Sequence, residues 1–177
     1  MNLQRQCRRR KVSEQCDTVR VAIEHEQVQF RTNDRSEVVA AIQGISERAN
    51  GREWVTISPW VDPQHLPVVS MLRRIFSARG SKVPEVTWVP AQGREPAQFG
   101  LLHSRGAKAH ELLIEANANI PPTWIKVSDH SKRGLLFGVH PDTTPDQVIA
   151  FAIEAAEVMA EVPTDDRWIA QVSTVKR

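Results

Sequence analysis

The stretch from Thr144 to Glu161 constrains this chain more than any other. Val148, Phe151, Ala155 and Val158, with Ile149, Ala152, Ala156 and Met159 beside them, recur at helical spacing and make one broad apolar stripe. Glu154, Glu157 and Glu161 fall mostly off it. Thr144, Pro145 and Gln147 form a capping-box start, in which a threonine side chain and a glutamine three residues later satisfy amides that have no partner within the helix. A helix with so wide an apolar side has to be packed against other elements, and strand-like stretches lie on both sides of it.

Before it, Ile125 and Val127 alternate with Lys126 and Ser128, a turn falls at Ser131 to Gly134, and Leu135, Phe137 and Val139 read as the returning strand. After it, Trp168, Ala170 and Val172 alternate with Ile169 and Gln171. Upstream, Phe99, Leu101 and Leu102 read as a strand. Ser104 caps an expected helix carrying Ala109, Leu112, Leu113 and Ala116, which Pro121 and Pro122 stop. The order over 99–177 is thus strand, helix, strand, strand, helix, strand, which predicts a ferredoxin-like βαββαβ half with both helices on one face of an antiparallel sheet.

Residues 18–90 predict a second α/β half of similar size. Val19, Val21 and Ile23 alternate, and after the polar residues Glu24 to Gln27 the phase flips to Val28 and Phe30, which predicts a hairpin or a single bulged strand. Asp34 and Glu37 open a helix with Val38, Val39, Ala41, Ile42 and Ile45 on its buried side, ended by Asn50 and Gly51. A strand at Trp54, Val55 and Ile57 follows. Asp62 and Pro63 begin another expected helix, with Leu66, Val69, Leu72, Ile75 and Phe76 as its stripe, and Val86, Trp88 and Val89 make a strand that stops at Pro90. The aperiodic residues 91–98, with Gly93 and Pro96, are the expected linker between halves. The whole chain is therefore expected to be α+β. The similar helix starts Glu37-Val38-Val39-Ala40 and Gln147-Val148-Ile149-Ala150 hint at a structural repeat.

Residues 1–17 are polar and basic, with too little apolar surface to offset the entropy of ordering, and are expected to form a flexible arm. No apolar core follows the basic start, and no apolar run is long enough to span a bilayer, so a cytoplasmic location and no membrane partner are expected. The net charge of +2 is too small to demand a polyanionic partner for the whole molecule. Cys7 and Cys16 lack metal-ligand or redox spacing. No complete nucleophile elbow, zinc motif or nucleotide loop is present, so no cofactor and no metal are expected.

The candidates for chemistry are few. His103 and His110, with Ser104 and Arg105 between them and His140 further on, make a weak catalytic constellation suited to an anionic small molecule. Arg8, Arg9, Arg10 and Lys11 in the arm, with Lys126, Lys132 and Arg133 in the hairpin, would suit a phosphate backbone, although the stacking aromatics of RNA-binding sheets are missing. Trp54, Trp60, Trp88, Trp124 and Trp168 sit at strand ends, where aromatic residues anchor partners when exposed. The reading these features favour is a small soluble, non-enzymatic binding or assembly protein that associates with a protein partner or with itself. Nucleic-acid binding and an enzyme at His103, Ser104 and His110 are the alternatives.

Overall fold

A computed structural model describes residues 22–65, 82–105, 108–130 and 133–176. Among the described residues there are seven strands: β1 (Ala22–Arg31), β2 (Glu53–Pro59), β3 (Glu85–Val89), β4 (Ala97–Leu102), β5 (Ile125–His130), β6 (Gly134–Val139) and β7 (Arg167–Lys176). They form one antiparallel sheet in the order β1-β7-β2-β3-β4-β6-β5. The described α-helices are α1 (Ser36–Arg48), α2 (Ala109–Glu115) and α3 (Pro145–Met159), and a 3-10 turn spans Pro63–His65. The fold is mixed α+β.

The pairing differs from two separate halves. In a ferredoxin-like half β7 would lie beside β4. The neighbours β4, β6 and β5 do follow that order, but β7 runs between β1 and β2, and β2 and β3 separate it from β4. All ten residues of β7 pair with β1, and seven of them also pair with β2. Alternation reveals which face a side chain takes but carries no information about which strand lies next door. The expected linker at 91–98 is largely the turn of the β3–β4 hairpin, closed by the Gln92–Glu95 bridge with Gly93 at a φ of 57°. The phase flip near the start belongs to one strand, because β1 pairs with β7 without interruption from Ala22 to Arg31. Ile23 takes one face of the sheet, and Val28 and Phe30 take the other, where both are buried.

That second face carries the core. Val28, Phe30, Trp168, Ala170, Ile57, Val86, Phe99, Leu101, Leu135 and Phe137 alternate inward along six strands and join Val38, Ile42 and Ile45 of α1, Leu113 of α2, and the stripe of α3 in one cluster. Its aromatic centre is Phe99, with ring centroids 5.0 Å from Trp124 and 5.1 Å from Phe151. The capping box of α3 forms as expected: Gln147 N–H donates to Thr144 Oγ1, and Thr144 N–H donates to Gln147 Oε1. Two other helix starts differ from expectation. Arg35, not Asp34, occupies the cap position of α1, and Asp34 instead accepts from the Ser36 hydroxyl. Helix α2 begins at Ala109 rather than just after Ser104. The arm, both cysteines and the stripe expected over 66–76 lie outside the described residues.

Candidate functional site

The sequence candidates come together only in part. His103, just past the end of β4, is 1% exposed, and Ser104 is 5% exposed. Asp129 of β5 pairs across to Leu135, which in turn pairs with Leu101, so the carboxylate lies on the core face near the same corner of the sheet. Asp129 Oδ2 accepts the His110 N–H at 3.1 Å, and the His110 ring stands 5.9 Å from that of Phe137. Residue type singles out both histidines in the sequence, whereas Asp129 joins them only through the strand pairing. Both ring nitrogens of His103, Ser104 Oγ and Asp129 Oδ1 are buried without hydrogen-bond partners.

The remaining candidates are elsewhere. His140 follows the far end of β6 and takes a hydrogen bond from the Asp142 N–H. Arg105 donates to the Ala160 carbonyl, and Lys108 pairs with Glu111. Lys126 and Arg133 are exposed, one near the start of β5 and the other in the turn that follows it, so they sit toward opposite ends of the hairpin. Arg8, Arg9, Arg10, Lys11 and Lys132 lie outside the described residues. Among the described residues no group of three His, Cys, Asp or Glu is disposed to hold a metal ion.

Electrostatics limits what the His103 corner can do. Burial pushes the His103 imidazole below its ordinary value, and the nearby Asp129 carboxylate pulls the other way. The same carboxylate disfavours an anionic ligand here. A buried base with a lowered pKa keeps its neutral form in the fold, whereas the unfolded chain binds a proton as the pH drops through about 6.5. Its contribution to stability is therefore complete above that pH and declines below it. Urea unfolding at pH 7.5 and 5.5 is expected to show a smaller loss of stability for His103→Leu than for the unaltered chain; equal losses would mean that His103 does not titrate this way.

The tryptophans are mostly structural. Trp88, Trp124 and Trp168 are buried. Trp124 and Trp168 donate to Thr143 and Thr32, and Trp60 lies under the Arg167 guanidinium at 3.5 Å. Trp54 is half-buried and points away from the core, onto the opposite face of the sheet.

That opposite face is the largest feature the sequence reading did not single out. Among the described residues no helix packs on it, because α1, α2 and α3 all contribute to the core cluster on the other side. The strand register arranges it in rows. One row runs from Gln27 through Gln171, Thr56, Thr87, Gly100 and Leu136 to Ser128. The next holds His25, Ser173 and Trp54 side by side on β1, β7 and β2, and Val89, Gln98, Gly138 and Ile125 side by side on β3, β4, β6 and β5. Neither contains an Asp, Glu, Lys or Arg, whereas the rows outside them on the same face hold Glu85 opposite Leu102 and Arg31 opposite Arg167. Val89 is 39% exposed, Leu102 37%, Val127 60% and Ile125 71%, and Ile23 on the β1 edge is 46% exposed, so most of the exposed apolar residues of this face lie toward β5. The signal was present in the sequence: Trp54-x-Thr56-x-Ser58, Thr87-x-Val89 and Gln98-x-Gly100-x-Leu102 alternate uncharged residues with the core positions.

Compared with protein-family models, with curated proteins and with solved structures, the chain matches none. Among the described residues no helix is long and apolar enough to cross a membrane.

Proposed function

We propose that this is a non-enzymatic binding or assembly protein that uses the second face of its sheet to hold another polypeptide surface. The observation that carries the reading is the pair of charge-free rows, one of which holds the exposed Val89 and Ile125, with the exposed Val127 and Leu102 on the same face. Exposed apolar surface of this kind marks interaction sites when it is contiguous, and the cores of protein interfaces are depleted in charge. The two rows also supply no Lys or Arg, and the face's arginines, Arg31 and Arg167, pair with Asp166 and Asp165, which disfavours a phosphate backbone as the ligand of its centre. The protein would act by positioning its partner, without a cofactor, and a soluble cytoplasmic setting fits that role. Coverage of Thr87, near the centre of the face, tests the reading. A maleimide should label the Thr87→Cys variant more slowly inside cells than in dilute purified protein, and equal rates would overturn it.

A further inference from the structure

The two edges of the sheet differ in what they leave open. β5 is six residues long, its pairing with β6 shifts between Lys126 and Ser128, and Lys126 itself is exposed. A bulge and a lysine both keep an edge strand from pairing further. β1 has neither. It runs for ten residues, pairs with β7 without interruption, and contains no proline or lysine. Among the described residues no strand lies on its other side, so its outer row of N–H and C=O groups is a template for one more strand.

On the core side of that edge a cleft of about 300 Å³ lies between β1 and α1. The other flank of α1 is turned to α3, where Arg35 at the helix cap pairs with Asp146, so the cleft lies on the β1 side. Val28 and Val172 form its floor, and Ala40, Ala41 and Gly44 of α1 form its wall. Gly44 is inside the helix, where glycine costs about 1 kcal/mol relative to alanine, and these small residues keep the space open. Glu26 and Glu37 line the same cleft. Among the described residues neither joins an ion pair, and Arg48, the cation beside them, is held by both carboxylate oxygens of Glu53.

A strand added to β1 turns alternate side chains toward this cleft. Those opposite Glu24 and Glu26 meet carboxylates, and the one opposite Val28 meets the apolar wall. A second copy of this chain suits the edge badly. Its own β1 would bring Glu24 and Glu26 toward Glu26 and Glu37, while its β5 is bulged and would pair head to tail without closing. We infer that the β1 edge receives an extended segment of a partner protein, antiparallel to β1, with a basic side chain opposite Glu26 and an aliphatic one in the cleft beside Ala40 and Gly44. Main-chain hydrogen bonds hold a strand added in this way, and its alternate side chains select it. The edge is distinct from the open face of the sheet and stands or falls independently of it.

Fluorescence anisotropy of short labelled peptides titrated with the purified full chain tests it. The first peptide, Thr-Val-Thr-Val-Thr-Lys-Thr-Lys-Thr, sets valine against Val28 and lysine against Glu26 and Glu24. The second carries Glu for both Lys, and the third Ser for both Val. The expected result is saturable binding of the first peptide and at least tenfold weaker binding of the other two. Glu26→Lys, at an exposed position, should weaken the first peptide at least tenfold and narrow its advantage over the second, with an unchanged urea midpoint. Lys126→Glu, on the opposite edge, should leave binding as it is. No binding of the first peptide, equal binding of the first and second, or a loss with Lys126→Glu and not with Glu26→Lys overturns the proposal. If the chain alone is a dimer in light scattering and the first peptide dissociates it, the edge belongs to a second copy, which overturns it as well.

Discussion

Phe99→Ala is expected to destabilise the fold by about 3–5 kcal/mol, the range found when a fully buried aromatic side chain is removed from a core. Phe99 is 0% exposed and sits where β4 meets α3, with Trp124, Phe137 and Phe151 around it. Truncation would leave three large rings facing a void that none of them can fill without leaving its own packing. The transfer term and the cavity term therefore add. Urea unfolding followed by tryptophan fluorescence would measure this directly, since Trp124 lies against the altered site. A loss below about 1.5 kcal/mol would be too small for the truncation of a packed aromatic side chain and would show that these rings do not form the packed centre of the core.

Gly134→Ala is expected to be comparably damaging for a different reason. Gly134 opens β6 at a φ of 77°, and a Cβ built there would collide with the Leu101 carbonyl oxygen. The obstacle is backbone within a paired strand, so relief requires moving β4 or β6 and not merely rotating a side chain. Left-handed strain in a residue other than glycine costs about 1–3 kcal/mol before any clash is counted, so a total of at least about 3 kcal/mol is expected. Gly93 supplies the comparison. It also has a positive φ, 57°, but nothing lies within 4 Å of its Cβ position, so Gly93→Ala should cost only about 1 kcal/mol. Similar urea midpoints for the two variants would contradict the close packing of β6 against Leu101.

The two residues also show what could be read from the sequence and what could not. Phe99 and Gly134 were both placed correctly, one on a strand and one closing a turn, because alternation and turn chemistry are local properties. The helix at Pro145–Met159 was legible for the same reason: its capping box and apolar stripe occur within a single segment. The seat of β7 was not legible. Trp168, Ala170 and Val172 specify a strand with one buried face, yet nothing in that pattern chooses β1 and β2 over β4 as neighbours. Pairing is decided by long-range fit among strands of similar alternation, so a familiar order of elements suggested a self-contained half where the chain builds one shared sheet.

The candidate site divides along the same line. His103 and His110 were picked out by residue type, and the fold does bring them to one corner. The third member, Asp129, arrives only through the pairing of β5 with β6. The opposite face of the sheet was harder still to see, because its signal is an omission. Thr, Gln, Ser and Gly at alternate positions look ordinary strand by strand. Only when the register stacks Gln171, Thr56, Thr87 and Gly100 side by side does the lack of charge become a property of the middle of a surface.

That surface is the central claim, and the labelling of Thr87→Cys tests it most directly. Val86→Cys, one residue away on the core face and 0% exposed, serves as the internal reference for a site closed by the fold itself. The account predicts that Val86→Cys stays unreactive in both settings, while Thr87→Cys reacts readily in dilute purified protein and at least several-fold more slowly in cells. Equal reactivity of Thr87→Cys in the two settings would contradict it, because a face that meets no partner in the cell is not where this protein does its work.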